Sequence, residues 1–391
     1  MLQVFLFPVK VYEVFFVIPF NKPAIIGEEL KMMEQAINQD QLSGNNEFTK
    51  TCVQLLKNLT NCKEALLTPS CTAALEMCAL LIDVKDGDEI IMPSYTFVST
   101  ANAFALRGAR IRYVDIEAAT MNISVREIER AITNKTKAIV VVHYAGVACD
   151  MDEIMKLAAT HHLWVIEDAA QALQSSYKVR PLGSIGHLAT LSFHDTKNYQ
   201  CGEGGALLVN DPSLLERAHI IQEKGTNRTA FREGKIDKYT WRDLGSSYLL
   251  NELSAAFLSV QLKHADKIYS NRMKAWKLYD KGLAELEKKG RIEKPSIPDV
   301  NTHNAHLFFI KTRDKRERAK LMDHLQDNGV QAASHYVPLH NSVAGKKFGV
   351  FVGKDNYTTT ESERLVRLPL FYQIREKDVT YVIHQIYSFF K

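Results

Sequence analysis

Between Glu64 and Glu167 the chain alternates short apolar runs with stretches of helical period. The runs Glu64–Thr68, Glu89–Met92, Arg110–Asp115, Lys137–His143 and Leu163–Glu167 read as strands. The stretches Ser70–Ile82, Phe97–Arg107, Val125–Ile132 and Met151–Ala159 read as the helices between them. Such alternation predicts an α/β unit, a largely parallel sheet covered on both faces by right-handed crossovers. Two helices are predicted ahead of it, Ile25–Asn38 and Phe48–Leu59. After Leu188 the pattern becomes strand, turn, strand, as where two neighbouring strands pair. A helical tract then runs from Tyr248 to Leu286, with Ala255, Leu258 and Leu262 on one face. Beyond it the pattern predicts a smaller α+β domain. Its elements are a strand over Ala305–Ile310, a helix over Arg316–Asn328, a β-like run over Val330–Val337 and a final helix over Lys377–Phe390. We therefore expect an N-terminal extension over residues 1–17, a large domain over 18–265 and a small C-terminal domain over 266–391.

Composition narrows the class. The 391 residues are 46% hydrophobic and 24% charged, the balance of a soluble globular protein with ample core. The net charge of +4 is spread along the chain, with no basic footprint for nucleic acid. Six cysteines form no CxxC pair and no zinc spacing, so reduced thiols, a cytoplasmic location and no metal site are expected. Met1–Phe20 is apolar, but Pro8, Lys10 and Glu13 interrupt it, so neither a membrane span nor a signal peptide is expected.

Four strand ends carry polar chemistry. Thr68-Pro-Ser-Cys-Thr-Ala-Ala-Leu75 ends a strand and opens a helix, where Ser70 or Thr72 can cap or the free N–H groups can cradle a phosphate. Met92-Pro-Ser-Tyr-Thr-Phe97 brings two aromatics that can stack on a flat ring or pack on the next helix. His143 reads either as a polar group at a strand end or as an interior histidine. Asp168 stands at the carboxyl end of a buried strand, where open α/β sheets bind ligands. It can cap a helix or pair with a protonated pyridine nitrogen. The stretch from Leu191 to Gly205 places Lys197 on a tight connection between two apolar strands. A buried lysine has a lowered pKa and becomes a nucleophile, which is what a Schiff-base anchor of pyridoxal phosphate (PLP) requires. A phosphate cradle, an aromatic, a carboxylate and a lysine in that order favour PLP. No GxGxxG follows a strand, and no P-loop, HExxH or GxSxG occurs.

These motifs, together with Glu167-Asp-Ala-Ala-Gln171, Ser192-Phe-His-Asp-Thr-Lys-Asn198 and Gly202-Glu-Gly-Gly205, resemble the DegT/StrS family of PLP-dependent nucleotide-sugar aminotransferases. The resemblance runs from about Ile18 to the C-terminus and implies the aspartate-aminotransferase fold, fold type I. It implies that Lys197 is the covalent anchor and proton shuttle and that Asp168 pairs with the pyridine nitrogen. Gln171 would reach the ring hydroxyl, Phe97 would stack on the ring, and Thr72, Ala73 and Ser192 would hold the phosphate. Family members are homodimers with shared active sites, and many place a partner asparagine on the phosphate. Here the corresponding segment, Gly245–Leu250, has no asparagine, and Ser246 or Ser247 would substitute. Val142–Asp150, Glu223–Arg228, Asp237–Asp243 and His335–His340 are similar to members that use L-glutamate to aminate the 4-keto carbon of dTDP-4-dehydro-6-deoxyglucose. Arg228, Tyr239, Trp241, His335 and Tyr336 would then contact the nucleotide sugar. A sugar dehydratase on this scaffold would carry histidine in place of Lys197. A PLP-binding sensor without turnover is the alternative from another class.

Overall fold

The structure, a computed structural model, describes residues 17–391. Apart from Val17, the expected N-terminal extension lies outside the described residues. The centre is an eight-stranded sheet. In chain order its strands are β1 (Glu64–Thr68), β2 (Glu89–Pro93), β3 (Arg110–Val114), β4 (Thr136–Val142), β5 (Trp164–Asp168), β6 (Leu188–Ser192), β7 (Gly205–Val209) and β9 (Gly349–Phe351). A separate pair is formed by β8 (Phe308–Lys311) and β10 (Leu365–Leu368). The spatial order of the large sheet is β1-β7-β6-β5-β4-β2-β3-β9. The run from β6 to β9 is parallel, and β7 is antiparallel to both neighbours.

The period of two along the strands fills both faces. Ile139 and Val141 of β4 enter one core, Ala138 and Val140 the other, all fully buried. Burying a branched side chain of this size contributes about 1.5–3 kcal/mol. Helices cover both faces: α1 (Glu29–Asn38), α2 (Glu47–Thr60), α3 (Cys71–Leu81), α4 (Val98–Ala105), α5 (Val125–Ala131), α6 (Met151–His161) and α7 (Leu215–Gln222). A short α8 (Arg228–Arg232) follows on an arm of mostly exposed residues.

The long helical tract is three helices: α9 (Glu252–Lys263), α10 (Ala265–Gly282) and α11 (Ala284–Lys288). Ala255, Leu258 and Leu262 pack into the first core, whereas Trp276 and Tyr279 pack into a third with Phe308, Ile310, Val366 and Ile386. Ala265 and Ile268, beyond the break at His264, still pack into the first core, so the tract passes from one core to the other within α10, between Ile268 and Ala275. The chain crosses the line at residue 265 in both directions: Ile18 pairs with Val330 in the third core, and β9 returns to the edge of the large sheet beside β3.

Two expectations need correction. Val330–Val337 forms no strand. It makes single bridges, Val330 to Ile18 and Ala333 to Arg367, then turns His335 and Tyr336 into a cavity. Nor do β6 and β7 join by a tight turn: residues 193–204 connect them. Past the register end at Ser192 and Gly205 the connection zips on irregularly, with the Phe193 N–H donating to Gly204 O (2.8 Å) and the Asp195 N–H to Gly202 O (2.9 Å). Lys197 rides on the far end of this extension.

No helix among the described residues is long and apolar enough to cross a membrane. All six cysteines are free.

Candidate active site

A cavity of about 600 Å³ opens at the carboxyl ends of the central strands. Each side reaches it for a local reason. At the end of β1 the chain enters α3 through Ser70, whose Oγ accepts the Ala73 N–H at 3.1 Å. Ser70 is therefore the N-cap. The N–H groups of Cys71 and Thr72, in the first turn, have no intrahelical acceptor and carry the positive end of the helix dipole. The Thr72 hydroxyl donates to Ser99 Oγ at 2.8 Å. The start of β7 presses against this turn: a Cβ on Gly205 would stand 2.4 Å from Cys71 N. Only glycine permits that approach, which accounts for the last residue of Gly202-Glu-Gly-Gly205.

Asp168 closes β5 and is 6% exposed. Its Oδ2 accepts the Thr100 hydroxyl at 2.7 Å and its Oδ1 accepts the Ala170 N–H at 3.2 Å. Burial pushes this carboxyl above its ordinary range despite those donors. Lys197 is half-buried, and its Nζ has no hydrogen bond or ion pair among the described residues. Burial holds its amine below the usual lysine value; the nearby Cys71 and Asp168 oppose that shift and Arg367 adds to it. Gln171 accepts the Ala145 N–H through Oε1 (2.8 Å) and donates Nε2–H to the Tyr336 hydroxyl (3.0 Å). Phe97 is 56% exposed with its ring centroid 6.2 Å from that of Tyr336. Burial keeps His335 well below the ordinary imidazole range. As a neutral ring its Nδ1 accepts the Tyr144 hydroxyl at 2.7 Å, leaving Nε2–H as its donor.

The fold brings Thr72, Phe97, Asp168, Gln171, Ser192, Lys197, His335 and Tyr336 to one cavity. Ala73 is not on its lining, and its N–H is taken by Ser70. Arg228, Tyr239, Trp241 and Ser247 also lie off it, on the arm after α7. There the Arg228 guanidinium stands 5.9 Å from the Tyr239 ring, Trp241 is 77% exposed, and Ser247 bridges to Glu223. His143 is the interior histidine: fully buried, with Nε2 2.9 Å from Glu167 Oε2 and Nδ1 accepting the Cys149 N–H. Reading the sequence missed Arg272, His306 and Arg367 on the lining. An arginine inside the apolar run Leu365–Leu370 was a legible signal; Arg272 reads as a solvated helix residue. No cluster of metal-ligating side chains occurs among the described residues.

The signature of the DegT/DnrJ/EryC1/StrS aminotransferase family matches residues 23–387. An uncharacterized protein of Methanocaldococcus jannaschii is 33% identical over 378 residues, covering 95% of this chain and 97% of its own. GDP-perosamine synthase of Escherichia coli O157:H7 is 29% identical over 375 residues, covering 95% and 98%. The solved PLP form of a candidate sugar aminotransferase from Streptococcus pneumoniae superposes with a TM-score of 0.88 at 25% identity, covering 96% of this chain and 98% of that one. The cavity offers what PLP asks of a protein: an amine without a partner among the described residues, a buried carboxylate, and hydroxyls around a helix N-terminus left open by Gly205. Signature, fold type I architecture and cavity agree, and the chain belongs to the DegT/DnrJ/EryC1/StrS family as a PLP-dependent aminotransferase.

Proposed function

We propose that this aminotransferase moves the amine of L-glutamate to the 4-keto carbon of dTDP-4-dehydro-6-deoxy-D-glucose. The product is dTDP-4-amino-4,6-dideoxy-D-galactose, for a cell-surface polysaccharide of the lipopolysaccharide O-antigen or enterobacterial common antigen type. One observation carries the chemistry: Lys197, with no partner on its amine among the described residues, shares a cavity with the buried Asp168. The choice of sugar rests on the likeness of Val142–Asp150, Glu223–Arg228, Asp237–Asp243 and His335–His340 to enzymes of that specificity.

When bound, PLP supplies an electron-withdrawing ring that takes up the electron pair left as a proton departs from the carbon bearing the amine. Lys197 is the covalent anchor. Once released, its Nζ, held toward the neutral form by burial, takes that proton and returns it one position along. Asp168 keeps the ring nitrogen protonated, since a cation beside a buried carboxylate favours both charges. Gln171 offers Nε2–H to the ring hydroxyl, and Phe97 covers the ring. Thr72, Ser192 and the first turn of α3 hold the phosphate. His335, as a fixed donor, and Tyr336 meet the sugar.

A second reading is a GDP-linked keto-sugar, favoured by the likeness to GDP-perosamine synthase. The test is amination of a panel of dTDP-, GDP- and UDP-linked 3-keto and 4-keto sugars with L-glutamate. The proposal expects the dTDP-4-keto-6-deoxy sugar to give the highest kcat/KM and an axial, galacto-configured amine. Amination of only a 3-keto or a GDP-linked sugar would overturn the substrate.

A further inference from the structure

His306 lines the cavity beside Lys197, yet it has no part in the steps assigned to Lys197 and Asp168. It stands two residues before β8 and is buried. Its contacts fix which ring nitrogen carries the proton. Asn198, next to Lys197 in the chain, donates through Nδ2 to Asn304 O at 3.0 Å. Its Oδ1 is therefore the end that meets His306 Nδ1 at 2.9 Å, and a carbonyl oxygen only accepts. The imidazole proton must sit on Nδ1, which leaves Nε2 as a bare acceptor in the neutral ring. Nε2 has no hydrogen-bond partner among the described residues. Burial, then Lys197, Arg272, His335 and Arg367, hold the ring well below the ordinary imidazole range, so it is neutral. Lys197 and His306 share two walls. Both line the large cavity, and with Asn198 both bound a cleft of about 10 Å³, no larger than one water molecule.

Resting on the reading of Lys197 as the proton carrier, we propose that His306 positions that carrier. Its Nε2 accepts a hydrogen bond from the Lys197 amine once the amine has taken the proton, and holds the ammonium until the proton is returned. The carrier becomes a cation in a cavity already lined by Arg272 and Arg367. The buried acid on that lining, Asp168, is engaged by Thr100 and Ala170 and is assigned to the ring nitrogen. A neutral acceptor steadies the ammonium without adding an anion that would compete with Asp168. A hydrogen bond to the charged form favours that form, so His306 works against the depression of the Lys197 amine by burial. The proton stays on Nζ. The amine starts as the stronger base by about four pH units, and burial beside Arg367 lowers both groups.

Two substitutions separate the two nitrogens of the ring. His306→Asn keeps a donor toward Asn198 and has nothing at the place of Nε2. His306→Gln sets a carbonyl oxygen at the place of Nε2 and gives up the Asn198 contact. The first readout needs no turnover: in cofactor-free protein, the rate at which acetic anhydride labels Lys197 across pH, read from the mass of its peptide, reports the pKa of the amine. Cys71, Asp168 and Arg367 also act on that amine and are the same in both variants. His306→Asn should lower the pKa by about one to two units, the worth of one hydrogen bond to a charged group, and His306→Gln should restore most of it. In the holoenzyme, the donor half-reaction with L-glutamate should slow by about 10- to 100-fold in His306→Asn, with a larger isotope effect from deuterium on the carbon bearing the amine. His306→Gln should recover most of that rate, and the KM for the keto-sugar should stay within about threefold. Should His306→Asn not fold, His306→Leu carries the same comparison with His306→Gln. An unshifted Lys197 pKa overturns the proposal. So does equal damage from both variants, which would make the ring a support for Asn198, or a loss confined to the KM of the keto-sugar, which would put Nε2 on the sugar. If the Lys197 pKa follows His306 yet Lys197→Ala turns over normally, the proton-carrier reading fails and the positioning role with it, although the contact stands.

Discussion

At the scale of single residues, Lys197 and Asp168 should fail differently. Lys197→Ala removes the anchor and the proton carrier together. Borohydride treatment of wild-type holoenzyme should fix the cofactor mass to the peptide containing Lys197, and the variant should show none. Its turnover should fall by at least the roughly 10²–10⁴-fold that a positioned proton carrier contributes. Asp168→Asn leaves the amine in place, so borohydride still fixes the cofactor, but the ring nitrogen loses its charged partner and proton removal from L-glutamate slows. Near-normal transamination by Lys197→Ala would mean that another lysine carries the chemistry. The hydroxyl partner of Asp168, Thr100, was not legible beforehand. It lies 68 positions away in the chain and meets the carboxylate only because β2 and β5 deliver their ends to one edge of the sheet.

At the scale of elements, the contact between α3 and β7 decides whether the phosphate cradle exists. Gly205 has no positive φ to explain it; close approach to Ser70 and Cys71 is its reason. Gly205→Ala forces a Cβ to 2.4 Å from a backbone nitrogen, and backbone cannot swing aside as a flexible side chain can. We expect a loss of about 1–3 kcal/mol of stability, typical of overpacking. Affinity for PLP should fall more steeply than affinity for a phosphate-free ring such as pyridoxal, because the strain lands on the turn that offers the N–H groups. Denaturant melts and cofactor titrations read the two effects separately. Equal weakening of both ligands would place the phosphate elsewhere. Ser70→Ala, which loses only the cap, should cost about 1 kcal/mol.

At the scale of the molecule, the arm after α7 asks for a partner. Phe231, Tyr239, Trp241 and Leu244 are exposed together, and Arg228 and Ser247 share the arm without lining the cavity of their own chain. Their resemblance-based roles are met if the arm reaches the cavity of a second copy in a two-fold dimer. Mixing Lys197→Ala chains with Trp241→Ala chains should then restore activity that neither variant shows alone, because one site of each mixed dimer has both its lysine and its arm intact. A fully active monomer in sedimentation would refute the shared site.

The sequence by itself determined the αβ rhythm from Glu64 to Asp168, because strand and helix periods are local and each buried face must repeat along its own element. It also determined the lysine, the carboxylate and the capped turn, because a costly polar residue at the end of an apolar run stands out against its neighbours. Tertiary structure alone decided what crosses between elements. The antiparallel place of β7, the return of β9 to the large sheet and the bend that turns Val330–Tyr336 from a strand into a cavity wall depend on distant partners. So does Arg272. On a helix rich in lysine and aspartate it reads as one more solvated charge, and only the packing of α10 against Ala305 and His306 buries it beside Lys197. Periodicity records which face of an element is covered; it carries no record of what covers it.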